Sequence, residues 1–389
     1  MNDKTQTPKN LAVALDIGTT KVVALAGYVN EYEKIEIIGI GTVKSEGVTR
    51  GVVSNIDRTV RAIKESIEMA EKAAQCKFEK VHVGIAGQHI KSIHHHGLLV
   101  RHDHNSEINE DDVNKLIKDM YKLVLPPGDK ILHVIPQEYT VDNEQDIVDP
   151  IGMSGVRLEA NFHIITGQIS ASRNILKCVE KAELDVADIT LEPIASASSV
   201  LSDEEKEAGV ALVDIGGGTT DITIFKDGII RHTAVIPFGG NVVTSDIREG
   251  CTVMNDQAGG SLLRHIDLLS EYHTGMHTRV GKPVEHLAHG YSVQLDSPVY
   301  ATSVGLLKNA LDNLSLNYDE LMEEENRKIE EARVAAEEAA ALAANSGMEE
   351  DQSEKEKFDY SLKKKSKGLF GGLFKMTKEF FEATPDSEF

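Results

Sequence analysis

Asp214-Ile-Gly-Gly-Gly-Thr-Thr-Asp221 is the stretch on which the fold turns. An apolar run, Val210-Ala-Leu-Val213, feeds it, and a second, Ile222 to Phe225, leaves it. Apolar run, glycine turn, apolar run is the pattern of a strand returning on itself. Three glycines in succession cost conformational entropy that a plain turn does not require. At Gly216, Gly217 and Gly218 the backbone N–H groups can crowd round an anion, and Thr219 adds a hydroxyl donor. Asp214 cannot bind phosphate, so its natural partner is a magnesium ion reached through water. Two other phosphate loops are excluded. GxxxxGK[ST] is absent, and the glycines lead to a strand rather than to the helix of a dinucleotide-binding unit.

The same device occurs earlier. Leu11-Ala-Val-Ala-Leu15 runs into Asp16-Ile-Gly-Thr-Thr-Lys21, and Val22 to Ala26 returns. Gly18 permits a tight approach, Thr19 and Thr20 are hydroxyl donors, Lys21 is a cation and Asp16 a second magnesium partner. On its own this turn reads as a phosphate loop or as an ordinary hairpin turn. Used twice, it implies two similar halves whose turns face each other across a cleft. Such a pair would clamp a nucleoside triphosphate with its magnesium. Glu192, in Leu191-Glu-Pro-Ile-Ala-Ser-Ala197, precedes the second turn. Its position before a proline at a helix start either aims it at a water on the terminal phosphate or makes it a plain helix-start acid.

Composition bounds the rest. The 389 residues allow two or three domains. The net charge of -22 argues against a general nucleic-acid binder. Cys76, Cys178 and Cys251 form no CxxC pair, which fits a reducing compartment. No run approaches the length of a spanning helix, so any membrane contact is expected to be peripheral. Residues 55–75, 110–122 and 171–182 have helical spacing, and residues 81–167 read as an inserted α+β unit. His94, His95, His96, His102 and His104 lie in one polar stretch without a recognisable metal-ligand pattern.

Paired turns of this form resemble the actin, Hsp70 and sugar-kinase superfamily. Further strings narrow the resemblance to the FtsA family. They are His133-Val-Ile-Pro-Gln-Glu-Tyr139, Pro150-Ile-Gly-Met-Ser-Gly-Val-Arg157, Val235-Ile-Pro-Phe-Gly-Gly-Asn-Val-Val-Thr-Ser-Asp-Ile247 and Ala301-Thr-Ser-Val-Gly-Leu-Leu307. The resemblance implies an α/β, actin-like duplicated ATPase-domain fold with an inserted subdomain. It puts the first subdomain at residues 10–80, 168–200 and 298–312, the insertion at 81–167 and the second subdomain at 205–297. An acidic linker would fill 313–367 and a membrane-binding helix 368–385. ATP and magnesium are the implied cofactors, with weak or no ATPase activity. Gly239 and Gly240 would lie near the nucleotide, and Gly259 and Gly260 beside its adenosine. The pattern departs from the family after Ala258, where a whole subdomain and a strand are missing; the family docks the FtsZ tail there. The implied role is a cell-division cytoskeletal protein that self-assembles and anchors the FtsZ ring to the inner face of the cytoplasmic membrane. Other division proteins would bind through residues 81–167. Rival readings are a pilus-assembly adaptor of the same fold, a small-molecule kinase, and a shortened form that binds membrane without tethering FtsZ.

Leu369, Phe370, Leu373, Phe374, Phe380 and Phe381 recur at three- and four-residue steps. Lys375 and Lys378 lie among them, and Lys363, Lys364, Lys365 and Lys367 just before. Apolar residues on one helical face with flanking lysines fit a helix lying in an anionic bilayer surface. Docking on a partner protein or on the chain's own domain is the alternative.

Overall fold

Two hairpins seed two sheets. The computed structural model describes residues 10–101, 107–251 and 263–315. Strand β1 (Ala12–Ile17) is buried along its whole length and pairs antiparallel with β2 (Lys21–Val29), Asp16 opposite Val23. Strand β3 (Ile35–Lys44) pairs with β2 on its other side. A short ribbon follows, β4 (Val48–Thr49) and β5 (Val52–Val53). Helix α1 (Ile56–Ala74) then crosses back over the sheet. Asn55 caps it by accepting from the Arg58 N–H, and Ala62, Ile63, Ile67 and Ala70 are buried beneath it. Strand β6 (Lys80–Ile85) returns parallel to β1, Leu15 opposite Val83. That is a correction. Val81–Ile85, grouped above with the insertion, is a core strand, because the apolar side chains it presents complete the sheet around β1.

The inserted unit starts after it. Strand β7 (Lys91–Val100), helix α2 (Glu110–Met120) and strands β8 (Asp129–Val141), β9 (Glu144–Ile147) and β10 (Arg157–Gln168) form a sheet ordered β7-β10-β8-β9. Leu116 and Met120 of α2 pack on this sheet in a core with Leu158, Phe162 and Ile164. Helix α3 (Ile169–Lys181) leads to β11 (Asp185–Leu191), which pairs parallel with β6 and completes the order β11-β6-β1-β2-β3.

Helices α4 (Glu192–Val200) and α5 (Asp203–Ala208) join the halves. The second sheet has strands β12 (Val210–Ile215), β13 (Thr220–Lys226) and β14 (Ile229–Ile236) in the order β12-β13-β14. Asp214 pairs with Asp221 as Asp16 does with Val23, so the two hairpins correspond residue for residue. The correspondence then ends. Strand β1 has β6 on its far side, whereas among the described residues nothing pairs with the far edge of β12. Helices α6 (Gly240–Cys251) and α7 (Ile266–Thr274) follow, and a last helix, α8, whose described part covers residues 301–315.

A second correction concerns the segment before α8. Residues 284–297, assigned above to the second subdomain, lie against the first sheet. Ile35 donates to the His286 carbonyl and Ala288 donates to the Ile35 carbonyl, both at 2.9 Å. Leu287 and Leu295 are buried with Ala12, Ala14, Leu25 and Leu307. The two backbone hydrogen bonds and this apolar burial together fix the segment on the first half.

Candidate functional site: two facing glycine turns

Both turns close alike. The Gly18 N–H donates to the Lys21 carbonyl at 3.0 Å, and the Gly216 N–H to the Thr219 carbonyl at 2.9 Å. They meet face to face. A methyl added to Gly217 would overlap the Thr20 methyl group, and one on Gly218 would sit 2.8 Å from Thr19 Oγ1. Glycine is therefore required at both positions for close approach, which is the physical reason for the run of three. The start of α6 seats on the second turn. Gly240 and Asn241 donate to the Gly216 and Gly217 carbonyls at 2.9 and 3.0 Å. Gly239 packs so close to the Gly216 carbonyl that a side chain there would collide with it.

Each turn carries an aspartate held by a hydroxyl from a helix beneath. Ser303 Oγ of α8 donates to Asp16 Oδ2 at 2.7 Å, and Ser196 Oγ of α4 to Asp214 Oδ2 at 2.7 Å. Thr302 Oγ1 adds a 3.3 Å bond to Asp214. The two helices cross where a methyl on Gly305 would overlap the Ala195 carbonyl. The small residues at this crossing let the helices approach closely enough to hold both aspartates.

Electrostatics set the character of the site. Burial pushes the Asp16 carboxyl up, opposed by Lys21 and the Ser303 hydrogen bond. Glu192, the first residue of α4, is raised well above the usual carboxylate range by burial, with Asp16, Asp221 and Asp214 adding to it. It lies over Gly84 of β6, its Oε1 3.2 Å from where a Cβ would stand there. Asp221 is pushed to about 7, chiefly by burial and then by Asp214. Lys21 is pushed down by burial although Asp16, Asp214 and Glu192 draw it up. Its ammonium donates to the Val299 carbonyl and stands 4.6 Å from the centre of the Tyr300 ring.

The sequence-derived residues Asp16, Gly18, Thr19, Thr20, Lys21, Glu192, Asp214, Gly216, Gly217, Gly218, Thr219, Gly239 and Gly240 are thus brought to one locus. Lys21 is the departure, because its ammonium is turned to the backbone of residue 299. Gly259, Gly260 and the tail positions from Leu369 to Phe381 lie outside the described residues. Sequence reasoning passed over Ser196, Ser303 and Asp221, although all three stand inside the quoted strings. Among the described residues no three His, Cys, Asp or Glu side chains gather as a metal cage. The donor set nonetheless fits a phosphate chain with a water-coordinated magnesium. Carboxylates whose charge is disfavoured by burial, one with the buried oxygen Asp221 Oδ1 unpartnered, call for a cation. ATP with magnesium would be held by the two turns through Asp16 and Asp214, the metal neutralising phosphate charge.

Known proteins match this architecture. A family model described as the SHS2 domain inserted in FTSA matches residues 87–166. One described as cell division protein FtsA matches residues 211–259. The chain is 49% identical over 237 residues to FtsA of Pseudomonas aeruginosa, covering 61% of this chain and 56% of that protein. With FtsA of Neisseria meningitidis it shares 44% over 244 residues, 63% of this chain and 58% of the relative. With FtsA of Escherichia coli K12 it shares 38% over 259 residues, 67% and 61% respectively. The chain therefore spans less than two thirds of the length of these relatives. Among solved structures, a chain of the PilM–PilN type IV pilus biogenesis complex superposes with a TM-score of 0.59 at 14% identity. The match covers 77% of this chain and 98% of that one, and it shows an actin-like ATPase fold. A duplicated core, a match to the SHS2 domain inserted in FtsA, and identities of 38–49% to FtsA proteins lead to one conclusion: over the matched residues this chain is similar to FtsA.

Proposed function

We propose that this protein binds ATP with magnesium at the facing turns, self-assembles, and ties FtsZ to the cytoplasmic face of the membrane during cell division. The observation that carries the nucleotide half is the matched pair of turns, each with an aspartate held by a helix hydroxyl at 2.7 Å. Nucleotide between the turns would couple the two halves, because each half supplies one aspartate and one set of donors. Self-assembly, FtsZ and other division-protein partners rest on the similarity to FtsA proteins. Membrane attachment rests on the pattern of the C-terminal stretch, six bulky apolar residues with Lys375 and Lys378. Glu192 orients a water only when ionised, so in this reading its role depends on magnesium being present.

A second reading has one observation in its favour. The second sheet has three described strands where the first has five, and among the described residues none corresponds to β6 or β11. A form shortened in this half would bind membrane without tethering FtsZ.

Co-sedimentation of FtsZ with liposomes separates the two. The tether reading expects FtsZ in the pellet with the full chain and in solution when residues 368–389 are removed. If the protein pellets while FtsZ stays in solution, the shortened-form reading holds. Nucleotide titration tests the other half, since Asp214→Ala should abolish ATP binding, and unchanged affinity would refute the clamp.

A further inference from the structure

We propose that Arg50 is the cation that meets the terminal phosphate of a nucleoside triphosphate at the facing turns. The inference rests on the nucleotide reading above and names the residue that would distinguish a triphosphate from a diphosphate.

Lys21 is the cation the sequence offers, and the structure commits it elsewhere, to the Val299 carbonyl and the face of Tyr300. A phosphate chain arriving among Asp16, Asp214, Asp221 and Glu192 therefore needs positive charge from another quarter. Arg50 stands at the tip of the β4–β5 ribbon. Arg50 and Gly51 both have positive φ, 51° and 72°, as a two-residue hairpin turn of right-handed twist requires. For arginine that conformation is unfavourable by about 1 kcal/mol or more, and strained positions of this kind cluster at ligand sites.

The tip is wedged against both turns. The Gly51 N–H donates to Thr19 Oγ1 at 3.2 Å, which fixes it on the first turn. A methyl on Gly218 of the second turn would lie 3.1 Å from the Arg50 Cα. Behind the tip, Gly51 abuts Ala86 and Gly87 just past the end of β6, where a Cβ would stand 2.8 Å from the Ala86 carbonyl. Val48 and Val53, both buried, anchor the ribbon from below. The backbone of Arg50 is thus held where the two turns meet. Its side chain is exposed and, among the described residues, makes no ion pair or side-chain hydrogen bond. A free guanidinium at that point offers the planar fork that suits phosphate oxygens. An arginine supplied from within the same chain is an effective way to stabilise terminal-phosphate charge.

The test is titration of the full chain with ATP and with ADP, magnesium held constant, alongside thermal melting. Arg50→Asn is the principal variant, because asparagine tolerates the left-handed backbone. Arg50→Lys keeps the charge without the fork. The wild type is expected to prefer ATP. Arg50→Asn should weaken ATP binding by about tenfold or more and leave ADP within about twofold, which removes the preference. Arg50→Lys should recover part of it, and the melting temperatures should agree. An ATP preference that survives in Arg50→Asn overturns the assignment while leaving the nucleotide reading intact. Equal loss of both nucleotides together with a lowered melting temperature also overturns it, by showing a structural role. A wild type that binds neither nucleotide overturns the nucleotide reading and this assignment with it.

Discussion

Asp221 faces Asp214 across the β12–β13 pair and is 7% exposed, with Oδ1 buried and unpartnered and Oδ2 accepting from Thr219. Its carboxyl titrates near 7 in the fold against 3.8 ordinarily. The folded state therefore holds this proton more tightly than the unfolded chain. Stability from that proton is fully present below about pH 4 and is lost as pH rises through 7. Asp221→Asn should raise stability at pH 8 by a few kcal/mol, about 4 at most, and change little at pH 4. Chemical denaturation at the two pH values, without nucleotide, checks this. Gly217 makes the steric case. Gly217→Ala drives a methyl into Thr20, which should cost about 1–3 kcal/mol. Thr20→Ser removes the opposing methyl, so the double variant should melt within a degree or two of wild type.

Two elements decide the architecture around these residues. The crossing of α4 and α8 brings Ser196 and Ser303 under the two turns, and it depends on Gly305 having no side chain. Gly305→Ala should separate the helices, cost about 3 kcal/mol or more, and weaken both aspartate clamps at once. Thermal melting and ATP titration of the same variant check both effects. Strand β12 is the other. The corresponding strand of the first half is buried throughout, but Val213 on the β12 edge is 50% exposed. An apolar edge without proline, lysine or bulge is a template for pairing with another chain. Val213→Lys should leave folding stability within about 0.5 kcal/mol, because the position is solvent-facing, and should reduce self-association in sedimentation runs. Undiminished association would show that the edge is not where copies meet.

Across the whole molecule, the inserted unit docks on the second half through β14. His163 of β10, with no exposed surface, bonds Thr233 Oγ1 at 3.0 Å, and Ser92 Oγ donates to the Thr233 carbonyl at 3.1 Å. Arg231 pairs with Glu138 at 2.6 Å. Burial, then His94 and His232, push His163 down to about 4, so it folds neutral. Its stabilising share is complete above about pH 6.5 and disappears as pH falls toward 4, about 3 kcal/mol in all. Thr233→Val would leave the imidazole without that bond, at a cost of about 1–3 kcal/mol at pH 7. Hydrogen exchange should then rise in β10 and β14 before it rises in β1 or β6, and exchange that rises evenly would argue against a discrete junction.

The sequence by itself determined the local and periodic features. The two acidic-glycine turns, the strands on either side of them, the three long helices and the duplicated plan follow from neighbours within a few residues and from apolar spacing. What only the tertiary structure decided depends on contacts between distant segments. Lys21 reads as a phosphate-facing cation until residues 299 and 300 arrive from far along the chain to take its ammonium. Val81–Ile85 has the same apolar texture as a strand of the insertion, and only pairing with β1 assigns it to the core. Residues 284–297 carry no periodic signal, yet their backbone bonds to Ile35 place them on the first half. The hydroxyls of Ser196 and Ser303 gain a purpose only when two helices cross. Sequence spacing records which groups are available, and the closing of long loops settles which of them meet.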